Sequence, residues 1–300
     1  SRDLSAADSQ GRIMMNLNQF AKQLCLAASI SMAFVAAQAE PLNKDISPAI
    51  YHVKNLNIGE LPVKTIVPIT AKTKQQALEQ AQMIAENPNA DMAEFRIDLL
   101  DFASDTKAVI ALGKELNQVL KNKPLIATIR TANEGGKLKV SDAEYEKIYS
   151  EYLKQPFMQL LDIEMFRDQA RVEKLTQRAH QKNVLVIMSN HDFDKTPAQQ
   201  DIEQRLLKQD QMGADILKIA VMPKSKQDVL TLMNATLNVS QKSKKPLLTM
   251  SMGRLGTISR IATANMGGSM SFGMIGEASA PGQIDVAQLK QFLKTVQPTP

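Results

Sequence analysis

The sequence predicts an α/β protein built as a single (β/α)8 barrel, and three observations support that prediction. Short apolar or β-branched runs recur along the chain and alternate with segments of helical periodicity. Eight such units occupy residues 62–298, which matches a barrel of this type in number and length. Polar and ionisable residues concentrate at the carboxyl ends of the runs, where such barrels carry their functional sites.

The predicted strands are short and rich in apolar or β-branched residues. They are Thr65–Ile69, Met92–Ile97, Leu125–Ile129, Met158–Ile163, Val184–Met188, Ile216–Val221, Leu247–Met250 and Ser269–Phe272. Helical patterns between them include Thr73–Ala85, Ala143–Leu153, Ala170–Lys182, Thr196–Met212, Lys226–Val239 and Val286–Val296. An open doubly wound sheet is the alternative, but residues 70–73 lack the glycine-rich phosphate turn expected after its first strand.

The segment before the barrel is predicted to contain an export signal and a short extension. In residues 1–39, Lys22 precedes an apolar stretch, Leu24–Ala37, and a small-residue motif ends at Ala39. This pattern is typical of a secretory signal peptide cleaved after Ala39. The stretch is shorter than the roughly 20 residues that span a bilayer, although a membrane anchor or an amphipathic tail is the alternative. Residues 40–61 are expected to form a linker or a cap over the barrel bottom.

Composition limits the classes of function and the compartment. The chain has no Trp and 4% aromatic residues, so stacking platforms for nucleic acid are not expected. The net charge is +5, and the lysines are scattered among acidic residues, which indicates a solvated surface. The one cysteine, Cys25, falls in the predicted signal, so the mature chain has no thiol chemistry. His52, His180 and His191 lack the spacing of metal ligands, and we expect no metal and no cofactor. The signal predicts a periplasmic protein, free of the membrane once the signal is removed.

One lysine gives the strongest indication of chemistry. Lys218 interrupts the apolar run Ile216–Val221, where a charge is costly unless it is paired or neutralised. A lysine whose ammonium form is destabilised becomes an amine nucleophile that can form an imine with a ketone or aldehyde. His191 follows the preceding strand, so an amine and an imidazole are expected on neighbouring strand ends. Taken singly, a strand lysine is more often an ion-paired residue, and a histidine there a hydrogen-bonded one.

Ionisable residues follow most of the other strands as well. They are Glu94, Arg96, Asp98, Arg130, Glu134, Asp162, Glu164, Arg254 and Arg260. Glu94 and Arg96 are two residues apart and therefore point to the same side of their strand. The structural alternatives are barrel ion pairs for Glu94, Arg96 and Arg130, supporting pairs for the carboxylates of the fourth strand, and a cap for Asp98.

Six segments together resemble the type I 3-dehydroquinate dehydratases. They are Glu94–Asp98, Thr128–Arg130 with Glu134–Gly136, Ser189–Phe193, Lys218–Ala220, Ile258–Arg260 and Ala278–Gln283. They occur in the family's order across roughly residues 60–298. The resemblance implies that Lys218 forms an imine with the C3 ketone of 3-dehydroquinate. It implies that His191 removes the C2 proton and later protonates the departing C1 hydroxyl, while Glu134 orients the histidine and favours its charged form.

The resemblance also implies how the substrate is bound. Arg260 would hold the substrate carboxylate, and the ring hydroxyls would meet Glu94, Arg96 and Arg130. Positive charge from these arginines, together with desolvation, is expected to keep the amine of the catalytic lysine uncharged. Ser279 and Gln283 flank a turn-prone loop that would close over the ring.

The sequence therefore predicts a cofactor-independent, imine-forming dehydratase that acts on a small molecule in periplasmic quinate catabolism. A role in the cytoplasmic shikimate pathway is the alternative for the same reaction. A class I aldolase would also use a barrel lysine, but it usually needs a phosphate site, and a sugar-acid binding protein would need two lobes. The family resemblance implies a homodimer, although no segment of the sequence indicates an interface.

Overall fold

The computed structural model describes residues 46–276 and 281–298. The predicted signal, residues 1–39, and Ser279 lie outside the described residues. The secondary structure of the described part begins with a hairpin of two short strands, β1 (Tyr51–Val53) and β2 (Leu56–Ile58).

Strands and helices then alternate through the rest of the chain. The strands are β3 (Lys64–Ile69), β4 (Met92–Arg96), β5 (Leu125–Thr128), β6 (Leu160–Glu164), β7 (Leu185–Asp192), β8 (Ile216–Val221), β9 (Leu247–Ser251) and β10 (Met270–Phe272). The helices are α1 (Lys74–Glu86), α2 (Thr106–Leu120), α3 (Asp142–Lys154), α4 (Gln169–Gln181), α5 (Gln199–Gln211), α6 (Lys226–Ser240), α7 (Thr257–Ala262) and α8 (Val286–Val296).

The strands from β3 to β10 form one parallel sheet that closes into a barrel. Consecutive strands pair in chain order, and β10 pairs in turn with β3. The remaining seam, between β9 and β10, is bridged where the N–H of Ser269 donates to the carbonyl of Leu247 at 2.8 Å. The sequence-based prediction of a (β/α)8 barrel is confirmed.

Side chains on the two sides of the sheet enter two different parts of the core. Along β8, Ile216 and Ala220 belong to the apolar cluster inside the barrel. Leu217, Ile219 and Val221 belong to the cluster between the sheet and the helices. Every residue of β8 is buried, because a parallel strand of a barrel is covered on both faces. Lys218 shares the inward orientation of Ile216 and Ala220.

The hairpin packs onto the amino-terminal ends of the barrel strands. Val53 and Ile58 are buried in the same cluster as Ile66, Met92 and Ile126, which lie near the starts of β3, β4 and β5. The apolar residues of the hairpin therefore shield the bottom of the barrel interior from water. The predicted functional residues lie at the opposite end of the barrel.

Two of the predicted elements differ from the sequence-based prediction by three residues or more at one end. Strand β7 continues past Met188 to Asp192, because its polar last residues pair with β8. Helix α5 begins at Gln199 instead of Thr196, since Pro197 disfavours helical geometry in the residue before it. The hydroxyl of Thr196 donates to the carbonyl of Met222 at 2.8 Å. Within residues 46–276 and 281–298, no helix is both long and apolar enough to cross a bilayer.

Candidate active site

A cavity of about 240 Å³ lies at the carboxyl ends of the strands. Seven of the predicted site residues line it: Glu94, Arg96, Arg130, His191, Lys218, Arg260 and Gln283. Apolar walls come from Met250, Met252, Phe193 and Phe272. The predicted groups on β4, β7 and β8 thus meet those that follow β5, β9 and β10 in one small cavity.

Lys218 lines this cavity as a buried side chain. Its side chain is 4% exposed, and Nζ lies 2.9 Å from Oδ2 of Asp162 and 3.7 Å from Oε2 of Glu94. The ring of Phe272 covers it, with the centroid 5.0 Å from Nζ. Two carboxylates and an aromatic face all stabilise an ammonium. The sequence-based expectation of an uncharged amine stays a prediction.

Asp162 joins this lysine to the rest of the site from the middle of β6. Its carboxylate also accepts two hydrogen bonds from Arg130, at 3.2 and 2.9 Å, and one from the hydroxyl of Ser189 at 2.6 Å. Burial alone would raise the pKa of Asp162, but the charges of Arg130 and Lys218 hold it well below its ordinary value. The carboxylate is therefore a permanent anion beneath the cavity.

Arg130 is held by carboxylates on its inner side. Besides the pair with Asp162, its Nη1 donates to Oε2 of Glu164 at 2.9 Å, and the side chain is 5% exposed. Glu164 also accepts from the N–H and the hydroxyl of Thr131. The ion-pair alternative for Arg130 thus describes its observed contacts, although the guanidinium also borders the cavity.

Glu134 lies behind His191 and fixes the orientation of the imidazole. Its Oε1 accepts the backbone N–H of His191 at 2.7 Å and lies 3.1 Å from Nδ1. The short turn Ala132–Glu134 presents this carboxyl group, and Gly135 ends the turn at a φ of +84°. With Nδ1 engaged, Nε2 is the ring nitrogen left to face a substrate. The ring of Phe193 stacks on the imidazole at 6.3 Å and 12°.

Burial dominates the protonation of this pair. Desolvation, followed by the charge of Glu164, raises the pKa of Glu134 to about 8. Desolvation, followed by the charges of Arg130 and Lys218, lowers the pKa of His191 well below its ordinary value. The lowered pKa favours a neutral imidazole in the free site, and the expectation that Glu134 favours the charged form of the histidine stays a prediction. A neutral imidazole is the form that can accept a proton.

Asp98 holds Arg96 in place, and it is not the helix cap that the sequence suggested. Both of its oxygens accept from Arg96, at 2.8 and 2.9 Å, which gives a bidentate pair. The same carboxylate accepts the backbone N–H groups of Arg130 and Lys137 at 3.2 and 3.0 Å. One buried carboxylate thus sets the direction of Arg96 and the path of the chain after β5.

Arg260, on α7, has a different environment from the other cations. It lies 3.7 Å from the sulfur of Met250, and among the described residues its Nε has no hydrogen-bond partner. Burial lowers the pKa of Arg260. A buried guanidinium with an unused donor is suited to bind an anionic group of a ligand. Gln283 borders the same cavity.

Asp162, interpreted from the sequence as part of a supporting pair, contacts both Lys218 and Arg130. The signal was available, because a carboxylate within the apolar strand Leu160–Glu164 is as costly as the lysine within β8. Among the described residues, no group of three or more histidine, cysteine, aspartate or glutamate side chains is arranged to hold a metal ion.

Comparison with known proteins agrees with this geometry. Residues 65–300 match the profile of the family described as Type I 3-dehydroquinase. The catabolic 3-dehydroquinate dehydratase of Acinetobacter baylyi is 79% identical over 271 residues, covering 90% of this chain and 98% of that protein. The 3-dehydroquinate dehydratase of Listeria monocytogenes is 44% identical over 241 residues, covering 80% of this chain and 95% of the relative.

Solved structures show the same relationship. The crystal structure of type I 3-dehydroquinate dehydratase from Clostridium difficile, with covalently modified comenic acid, has a TM-score of 0.80 and 35% identity, covering 83% of this chain and 98% of that one. The 3-dehydroquinate dehydratase of Enterococcus faecalis has a TM-score of 0.78 and 36% identity, covering 84% of this chain and 100% of that one. The chain therefore belongs to the type I 3-dehydroquinate dehydratase family.

Proposed function

We propose that the protein dehydrates 3-dehydroquinate to 3-dehydroshikimate through an imine at Lys218, with His191 as the acid and base. The observation that carries this proposal is the meeting of a buried lysine amine and a neutral imidazole at one small cavity. Family membership supports the reaction, which makes the protein a hydro-lyase. The Nε of Arg260, which has no hydrogen-bond partner within residues 46–276 and 281–298, supports an anionic substrate, since 3-dehydroquinate carries a carboxylate.

The reaction proceeds in steps whose atoms balance. The amine form of Lys218 attacks the C3 carbonyl carbon through Nζ, and one N–H proton passes to the oxygen to give a carbinolamine. The carbinolamine hydroxyl takes up a proton from solvent and leaves as water, which gives a protonated imine; the final hydrolysis returns that proton. Nε2 of His191 then removes the C2 proton, and the electron pair forms an enamine. The enamine expels the C1 hydroxyl, which takes the proton from the imidazolium and leaves as water. Water hydrolyses the conjugated imine and restores the amine.

The surrounding residues contribute position and charge. Acid–base catalysis by a positioned imidazole contributes about 10² to 10⁴ in rate, and Glu134 maintains that position. Arg96, fixed by Asp98, is placed to donate to ring hydroxyls, and Arg260 to bind the carboxylate. The covalent adduct in the relative from Clostridium difficile is consistent with a nucleophilic group in this family.

Borohydride trapping tests the proposal. The mature protein is mixed with 3-dehydroquinate, the enone absorbance of the product is followed, and the protein mass is measured after reduction. We expect turnover and a covalent adduct at Lys218, and neither in Lys218→Met. The matched control is Lys64→Met, because Lys64 is also a buried strand lysine, 6% exposed, whose Nζ donates to the carbonyls of Glu60 and Pro62. An adduct elsewhere, or turnover in Lys218→Met, would contradict the mechanism.

The proposal includes export and a catabolic role. The amino-terminal pattern of residues 1–39 supports secretion, and the name of the Acinetobacter baylyi relative supports catabolism. Amino-terminal sequencing of protein from the periplasmic fraction should give Glu40 as the first residue. Full-length protein in the cytoplasmic fraction would contradict export and leave the shikimate-pathway role. A homodimer, also part of the proposal, is tested by light scattering.

A further inference from the structure

A buried glutamine lies on the helix that connects the two catalytic strands. Gln209 is in α5, between β7 with His191 and β8 with Lys218, and it is 0% exposed. It shares the buried face of that helix with Ile202 and Leu206. A polar residue on an apolar helix face is costly unless its amide is fully hydrogen-bonded.

The amide of Gln209 meets the backbone of one residue, Lys218. Its Oε1 accepts the N–H of Lys218 at 2.9 Å, and its Nε2 donates to the carbonyl of Lys218, also at 2.9 Å. The same Nε2 lies 3.4 Å from the sulfur of Met165. A planar side-chain amide therefore clamps both polar groups of the residue that carries the reactive amine.

Lys218 is also part of the sheet, where it pairs with Ser189 of β7 and Leu248 of β9. Beside it, the N–H of Leu217 donates to the carbonyl of Pro246 at 3.0 Å. Gln209 adds hydrogen bonds from the helix side to both polar groups of the Lys218 backbone. The orientation of this backbone, and of the Cα–Cβ bond that directs the side chain, therefore depends on Gln209 as well as on the strands.

We infer that Gln209 is a positioning residue that aims Nζ of Lys218 at the substrate carbonyl. The inference rests on the proposed imine mechanism. Attack requires the reacting atoms to approach within about 3 to 3.5 Å along a defined direction, and a displacement of about 1 Å lowers the rate about 10²-fold. A small rotation of the backbone at Lys218 is carried to the end of a long side chain. Substrate binding depends on other elements and should be unaffected.

The first test replaces the amide by an isosteric apolar group, Gln209→Met. We expect the rate of borohydride-trapped adduct formation with 3-dehydroquinate, and kcat, to fall about tenfold or more, since attack geometry is lost. Quinate has a hydroxyl in place of the ketone and cannot form the imine, so its inhibition constant reports binding alone. This constant should stay within about twofold of the wild-type value, because the residues that bind the ground state are unchanged. Wild-type protein that forms no adduct would refute the imine mechanism itself; a variant that traps at the wild-type rate would refute only the role of Gln209.

The matched control is Thr236→Val, one helix further along. Thr236 is 2% exposed on α6, and its hydroxyl lies 2.7 Å from that of Thr249 on β9. This change also removes a buried helix-to-strand hydrogen bond, so it reproduces the cost in stability without touching Lys218. Its trapping rate should equal that of the wild type, and an equal loss in both variants would overturn the inference.

A second variant, Gln209→Glu, gives a readout that a purely structural role would not produce. A protonated carboxyl group offers one acceptor and one donor, as the amide does, whereas a carboxylate offers acceptors alone. We expect kcat relative to the wild type to rise as the pH falls, while the ratio for Gln209→Met stays constant. A flat ratio for Gln209→Glu contradicts the inference. If neither variant folds while Thr236→Val does, Gln209 is a folding residue and the inference is overturned.

Discussion

The protonation of Glu134 gives a stability prediction that can be worked out from the structure. The pKa of this carboxyl group is raised from 4.5 to about 8 on folding. Between these two values the folded protein binds more protons at this position than the unfolded chain does. The free energy of unfolding therefore falls as the pH rises through this window, and the loss is complete above the folded pKa.

The useful range lies above pH 7. There His191, with its lowered pKa, is neutral in the folded chain, and its partial protonation in the unfolded chain near pH 7 is common to the two proteins compared and cancels. One pKa unit separates pH 7 from the folded value of Glu134, which corresponds to about 1.4 kcal/mol at about 1.36 kcal/mol per unit. Wild-type protein should lose about this much unfolding free energy between pH 7 and pH 9 relative to Glu134→Gln.

Urea unfolding at a series of pH values measures the difference between the two proteins, because groups common to both cancel. The control is Glu146→Gln. Burial tends to raise the pKa of Glu146, but its hydrogen bond to Arg171 and the charges of Lys174, Arg171 and Arg178 lower it. Its difference from the wild type should therefore be flat above pH 7. If the Glu134→Gln difference is also flat, Glu134 is already ionised at pH 7 and the reasoning on the neutral pair fails.

Further predictions concern the residues that support the site. Asp162→Asn leaves two buried cations without their shared anion and should lower the free energy of unfolding by about 3 to 5 kcal/mol in urea melts; an unchanged midpoint would contradict the central role of this carboxylate. Asp98→Asn releases Arg96 and should raise KM for 3-dehydroquinate about tenfold with a smaller change in kcat, and an unchanged KM in steady-state kinetics would argue against it. Gly135→Ala places a Cβ against the ring of Phe193 at a φ of +84° and should lower kcat about tenfold, while retention of full activity would show that the ring can move aside.

The fold was accessible from the sequence because each strand is a short apolar run between helical segments. Ile216–Val221 and Val286–Val296 have the predicted bounds. The helix Thr106–Leu120 is missing from the helical patterns named in the sequence, although Asp105 caps it by accepting from the N–H of Ala108 at 3.1 Å. Its apolar stripe includes Gly113, whose lack of a side chain admits the ring of Phe157. A contact of this kind, between a helix and a ring far along the chain, cannot be predicted from the periodicity of apolar residues.

The residues of the site could be predicted from the sequence, but their protonation states could not. Position at strand ends brought Lys218 and His191 together, since parallel strands end at the same side of the barrel. Their protonation depends on distances to groups far apart in the chain, such as that from Asp162 to Lys218, which spacing does not reveal. The role of Gln209 was hidden for a similar reason, because a glutamine in a charged helix is ordinarily a surface residue.

The carboxylate of Asp162 has a consequence for the whole catalytic cycle. An ammonium and a protonated imine both carry a single positive charge on the same nitrogen. In the proposed mechanism, the carboxylate that lies 2.9 Å from the lysine nitrogen is therefore also the counterion of the covalent intermediate. The negative charge beside that nitrogen is in place before the bond to substrate forms.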